Sequence, residues 1–404
     1  MSVAKWLVET YRKHRENISA GELVRESVQQ KKFRLDEIHV KDVAIQACGE
    51  QFATKLLAYG AAARTGRGFL AQETRESAEA LDASTFGAVF GSVMVEISNE
   101  AYEAAASEVL SMFDPYPTPD QLDEITEYKQ AQSTNGPETV APNMPYPKSG
   151  AATWYIKIPK PEKVGQICQV GLEFVVSNRT KPIFDMVRAN TEIVAIDLVE
   201  RCLRTLLGIT NTYNRNGTTY NTYLTSGLYV NALDDFDLDN GPDEVDRLEQ
   251  LFANMVDPVT GKNVILGGTQ IFVPKSNLRR TQKVVSTTEI RKTVSNTQTI
   301  YKEPGGLTEP ISDRHARRLL TTAYAPSSWS AISTAIADTY FLYGDFKGAF
   351  GYREVKPFEV LERNAELASD INWEQDIVYA VKPRFWGVPF TKDPMKVTRG
   401  RKTS

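Results

Sequence analysis

The chain reads DTYFLYGDFKGAFGYREVKPFEVLERN over residues 338–364 and WEQDIVYAVKPRFWGVPFTKDPMKV over residues 373–397. Both runs are strand-dense and aromatic, with Gly and Pro as punctuation. Gly344-Asp345 is expected to break the first run, and Arg384-Phe-Trp-Gly387 the second. Neither run holds a His, a Cys or a Gly-rich phosphate loop. Ordering so much backbone is costly, and no reactive group accompanies it. The question becomes what this chain builds.

The chain has 404 residues, enough for two or three domains or one elongated subunit. Hydrophobic residues make up 41%, so a sizeable core can form. The 47 basic and 51 acidic residues nearly balance, which argues against a dedicated polyanion binder. Cys48, Cys168 and Cys202 are far apart and form no CxxC pair, so neither a disulfide framework nor a structural zinc site is expected. The charged N-terminus MSVAKWLVETYRKHREN lacks the apolar core of a signal peptide. No apolar run approaches the ~18 residues of a membrane span.

Upstream of the closing runs the chain alternates helical and extended patterns. Val3, Leu7, Val8 and Tyr11 form a helical stripe, and Ser19-Ala-Gly-Glu22 is a capping box ahead of a second helix. A third helix is expected over 41–63, ended by the Gly-containing TGRG at 65–68. Phe86, Val89, Phe90, Val93 and Ile97 restart the pattern, and Tyr102–Phe113 continues it. Asp114-Pro-Tyr-Pro-Thr-Pro119 stops it, because proline lacks the amide donor. From there to Pro147 the chain reads as loop. TWYIKIPKPEKVGQICQVGLEFVV, from Thr153, then reads as two strands around Pro-Lys-Pro-Glu-Lys163, a hairpin expected to project rather than form a core.

Lys181–Leu207 reads as the longest regular helix, about 40 Å at ~1.5 Å per residue. Pro182 suits its first turn and Gly208 its stop. Ile196, Val199, Leu203 and Leu206 share a face that Ile193 and Val194 widen. Asn216-Gly217 signals a hairpin turn. A helix is expected from Gly241-Pro242 to about Met255, a turn at Asp257–Lys262, a strand at Gln270–Val273 and a helical start at Pro274–Asn277. Val285–Thr308 reads as strand and loop. The sum is an α+β chain without internal repeats.

Reactive motifs are represented only by fragments. Thr260-Gly-Lys262 lacks the earlier glycine of a phosphate loop, and Asn263 stands where Ser or Thr would ligate magnesium. Asp234, Asp235, Asp237 and Asp239 resemble a calcium loop, but the glycine falls at 241 and Asp246 stands where a bidentate Glu belongs. His14, His39 and His315 are scattered. Glu173 and Asp376 could be imagined as a carboxylate couple, yet a chain of this length offers many such pairs. No catalytic, cofactor-binding or metal-binding residue is assigned. Basic clusters lie at Arg279–Lys283, Arg314–Arg318 and Arg399–Lys402; each is either a solvated face or a contact for acidic neighbours or a nucleic-acid backbone.

Several stretches, in this order, resemble tailed-phage major capsid proteins of the Hong Kong 97 type. They are Ser84-Thr-Phe-Gly-Ala-Val-Phe-Gly91 with Glu100-Ala-Tyr102-Glu, Asn143-Met-Pro-Tyr-Pro147, Asp257-Pro-Val-Thr-Gly261 with Ile271-Phe-Val-Pro274, Tyr343-Gly-Asp-Phe346, and Gln375-Asp-Ile377 through Arg384-Phe385. The resemblance spans residues 35–397. It implies a helical N-terminal arm region at 1–140, an extended β-hairpin loop at 141–175 and a peripheral domain with a spine helix at 176–225. An axial domain at 226–337 and closing peripheral strands with a tail at 338–404 complete it.

The implied function is a non-enzymatic, self-assembling major capsid (head) protein. Pentamers and hexamers would tile an icosahedral shell in the virion, assembled in the host cytoplasm. Portal, decoration or scaffolding proteins would be its partners. Packaged double-stranded DNA would lie inside without sequence-specific contact, and no membrane would be involved. Trp373, Phe385 and Trp386 should then be buried in the closing sheet or at subunit contacts. Some family members link subunits by a Lys–Asn bond promoted by a Glu; Lys148, Lys157, Lys160 and Lys163 lie near the expected loop, but no partners stand out. Residues 1–80 would be arm or an attached scaffold-like element of a chain retained whole. The same residues leave open an encapsulin-like protein compartment, or an enzyme with no readable motif.

Overall fold

The computed structural model describes residues 3–14, 19–30, 80–119, 121–130, 153–171, 180–240, 242–259, 269–286, 289–294, 297–302, 309–321, 333–364 and 377–402, with a few isolated positions between them. The helices are α1 (Val3–His14), α2 (Ala20–Gln29), α3 (Ala80–Leu110), α4 (Thr180–Leu206), α5 (Pro242–Ala253), α6 (Leu278–Val285), α7 (Arg314–Leu320), α8 (Thr334–Ala337) and α9 (Phe346–Ala349). The strands before α5 are β1 (Asp114–Pro117), β2 (Ile125–Gln130), β3 (Thr153–Ile158), β4 (Glu162–Gly165), β5 (Cys168–Gly171), β6 (Tyr213–Arg215), β7 (Thr218–Tyr220) and β8 (Ala232–Leu233). Those after it are β9 (Gln270–Pro274), β10 (Glu289–Val294), β11 (Thr297–Lys302), β12 (Ile311–Asp313), β13 (Phe341–Gly344), β14 (Phe350–Asn364), β15 (Ile377–Thr391) and β16 (Val397–Gly400). The chain is α+β, and it divides into two compact units.

The first unit comprises residues 1–107, 163–197 and 357–385. Its core joins Leu7 and Val8 of α1, Leu23 and Val24 of α2, Val93 and Ile97 of α3, and Ile183 and Val187 of α4. The α1 stripe read from the sequence is the face that packs, with Val3 and Tyr11 at its edge. At the start of α2 the Ser19 side chain accepts from the Glu22 N–H, and Glu22 accepts in turn from the Ser19 N–H at 3.0 Å. Val381 of β15 lies opposite Cys168 of β5 in an antiparallel pair. The helix expected over 41–63 lies almost wholly outside the described residues.

The second unit comprises residues 108–162, 198–356 and 386–404. One of its sheets runs β12-β9-β13-β16-β8, and another runs β2-β3-β6-β7. Beneath the first lie Phe236, Leu248, Phe252, Ile271 and Phe341. Beneath the second lie Trp154, Ile156, Ile158, Tyr213, Phe390 and Met395.

Five expectations change. Among the described residues the longest helix is α3, of 31 residues, against 27 for α4; it begins at Ala80, ahead of the restart read at Phe86. The stretch after Asp114 is not all loop, because β1 pairs in parallel with β14 and β2 pairs with β3. Prolines 115 and 117 are tolerated because β1 is an edge strand, where an N–H can be dispensed with.

The turn at 159–163 does not join a hairpin. β3 pairs with β2 on one side and β6 on the other, while β4 joins β15. Consequently Trp154, Ile156 and Ile158 alternate as expected but face a core rather than projecting. Ile193 does not widen the buried face of α4; it is 56% exposed. Finally, β15 runs unbroken through Arg384–Gly387. Gly387 there serves close approach, since a Cβ would stand 2.6 Å from the Arg353 carbonyl on β14.

The break at Gly344 does occur. Its φ of 146° admits glycine, and Asp345 then caps α9 through the Gly348 N–H. The closing runs divide between sheets: β13 and β16 pair with each other and with β9 and β8, whereas β14 and β15 pair with β1, β4 and β5. Phe385 is buried and Trp386 half-buried; Trp373 lies outside the described residues.

Candidate functional site

The hairpin of the second unit is built from β2 and β3, in register from Ile125↔Ile158 to Gln130↔Thr153. Period-2 alternation sorts its side chains. The inner face carries Trp154, Ile156 and Ile158, with Trp154 lying between two cations: Lys129 Nζ at 5.7 Å and the Arg215 guanidinium at 4.3 Å from the ring centre. Burial pulls Lys129 below its ordinary value, as desolvation of an ammonium requires. The outer face carries Tyr128 and Tyr155 edge-to-face at 5.9 Å, with Tyr128 76% exposed. Lys157 and Lys160, near this end, pair with Glu124 at 3.7 Å and Asp123 at 3.6 Å. Lys148 lies outside the described residues.

The acidic run 234–239 forms ion pairs within the chain. Asp234 accepts from Arg401 at 2.7 Å and Arg399 at 3.0 Å, and Asp235 accepts from Arg247 at 2.9 Å. Asp237 pairs with Lys402 and Asp239 with Arg280. Burial pushes the Asp234 carboxyl up, but the hydrogen bonds and charges of Arg401 and Arg399 outweigh it and hold the group below the usual range. Thus the calcium-like run is paired with members of two of the three basic clusters and with Arg247. The third cluster is also engaged internally, Arg317 with Asp338 at 2.9 Å and Arg318 with Glu200. Among the described residues, no group of three or more His, Cys, Asp or Glu is placed to hold a metal ion.

Gly261, with φ 66°, closes a turn in which its N–H donates to the Asp257 carbonyl at 2.8 Å. This is a surface turn joined by a bridge between Val256 and Asn263. His315 stands 3.9 Å from Glu200 Oε1, a neighbour the sequence could not reveal because the two lie on different helices. Burial pushes the thiols of Cys168 and Cys202 up, so neither is an activated nucleophile. Cys48, His39, Glu173 and Asp376 lie outside the described residues, and nothing is described of the His14 side chain. Among the described residues no helix is long and apolar enough to cross a membrane.

No family model matches the sequence, and no curated protein matches it. Solved structures do. The chain is similar to the capsid of the cyanophage P-SCSP1u, at 8% identity over 72% of this chain and 87% of that one, with a TM-score of 0.45. It is similar to a structure from Mycobacterium phage Ogopogo, at 10% identity over 73% and 91% respectively, with a TM-score of 0.40. It is similar also to a virus-like particle from Pyrococcus furiosus, at 8% identity over 76% and 96%, with a TM-score of 0.39.

Proposed function

We propose that this chain is a major capsid protein of the Hong Kong 97 type from a tailed phage, a structural and non-enzymatic subunit of the virion. Copies assemble as pentamers and hexamers into an icosahedral shell around double-stranded DNA. Assembly takes place in the host cytoplasm, with portal, decoration or scaffolding proteins as partners. The observation that carries this reading is the β2–β3 hairpin. Its inner face is seated on the second unit's core, while its outer face presents the largely exposed Tyr128 beside Tyr155. An exposed aromatic on a hairpin with a built root suits contact with another subunit. Obligate contacts of this kind commonly bury ~2,000 Å² or more per pair.

In this reading residues 1–140 contain the arm region, α4 is the spine helix and 226–337 lie mainly in the axial domain. The extended loop in this reading is residues 141–175, and β3 lies within it. Negative-stain microscopy of the purified protein tests the proposal. Closed shells that copurify with DNA are expected. Soluble monomers under every assembly condition would overturn it, and shells holding an enzyme would point to a protein compartment instead.

A further inference from the structure

Arg353 is a fully buried arginine in the middle of β14, with 0% of its surface exposed. Its bonds all go to neutral oxygens on either side of the hairpin's root. Nε donates to Thr118 Oγ1 at 3.1 Å, and one terminal nitrogen donates to the Gln121 carbonyl at 2.8 Å; both acceptors lie just before β2. The other terminal nitrogen donates to the Pro159 carbonyl at 2.8 Å, one residue past the end of β3. The backbone repeats part of this tie, since the Thr118 N–H donates to the Glu354 carbonyl at 2.8 Å.

A buried guanidinium is expensive, and an apolar side chain of similar volume commonly serves stability as well. Burial accordingly pulls the guanidinium below its ordinary value. What an apolar side chain cannot do is reach three oxygens on two separate chain segments at once. The planar fork with its five donors can.

We propose that Arg353 is the positioning residue of the hairpin: it clamps both feet of β2–β3 to β14, so that the hairpin swings only when β14 moves with it. The clamp itself does not depend on the shell reading; only its consequence for assembly does. Hydrogen exchange on the purified full chain tests it. In R353M, amides of 118–130 and 153–160 should exchange about 10-fold faster, while those of 341–344 and 397–400 keep their wild-type rates. R353K and T118V, which keep part of the bonding, should fall between and carry the test if R353M does not fold. Unchanged exchange at the hairpin feet, or equal acceleration throughout the unit, would overturn the clamp. Shell formation is scored separately. Wild-type protein that never forms shells would sink the capsid reading while leaving the exchange result decisive for Arg353.

Discussion

Asp234 and Asp393 show how two carboxylates in one unit acquire opposite character. Asp234 has its arginine partners at hydrogen-bond distance, and their pull exceeds the cost of burial. Asp393 caps the short 3-10 turn Pro394–Lys396 by accepting from the Met395 N–H at 3.2 Å. Burial there raises its carboxyl despite the nearby charges of Lys129, Lys396 and Arg215. The consequences for stability carry opposite signs. A depressed group contributes stability above its unfolded value and loses it as pH falls through the folded value. A raised acid weighs against the folded state above its folded value and is relieved as pH falls. Between pH 7 and about pH 3, wild type should therefore lose stability relative to D234N and gain it relative to D393N. Urea midpoints at the two pH values check this. Parallel shifts in the two comparisons would contradict the assignment.

The elements differ in how locally they are decided. The β6–β7 turn places Asn216 at φ 51° and Gly217 at φ 84°, both in the left-handed region that a two-residue hairpin demands. A Cβ at 217 would meet only the Tyr155 hydroxyl, at an ordinary 3.5 Å. Hence G217A should cost about 1 kcal/mol, through backbone conformation alone, as read by chemical denaturation.

The end of α4 is decided less locally. Gly208, at φ 70°, turns the chain, and the Tyr223 and Tyr340 hydroxyls donate to the Leu206 and Leu207 carbonyls, each at 2.7 Å. Those tyrosines satisfy carbonyls that any helix C-terminus leaves without a partner. The glycine was legible in the sequence; the tyrosines, 17 and 133 residues away, were not. The same distinction explains the hairpin. Alternation along 153–158 tells which side chains share a face, but says nothing of whether the partner strand lies before or after. The prolines and polar residues between 114 and 147 made the earlier partner read as loop.

At the scale of the molecule, net charge and its placement bear on the DNA expected inside a shell. The formal charge is −4. Among the described residues, the clusters read as possible polyanion contacts include Arg280, Arg317, Arg318, Arg399, Arg401 and Lys402, and each of these pairs with a carboxylate of its own chain. The purified protein should therefore bind duplex DNA only at the weak, sequence-independent level, with a Kd of about 10⁻⁴ M or weaker near physiological salt. Fluorescence anisotropy at two salt concentrations reads this directly; sub-micromolar binding would contradict it.

The amino-acid sequence by itself determined the α+β class, the α1 stripe, the Ser19 capping box, the Asn216-Gly217 turn and the breaks at Gly208 and Gly344. Each depends on a few neighbouring residues through backbone conformation or a local hydrogen bond. Only the tertiary structure decided that β2 is the partner of β3, that the closing runs feed different sheets, that the acidic run meets the basic ones, and that Arg353 ties down the hairpin. Those are contacts between segments far apart in the chain. A pattern of buried and exposed positions specifies that a side chain must find cover, and the fold alone specifies which distant segment provides it.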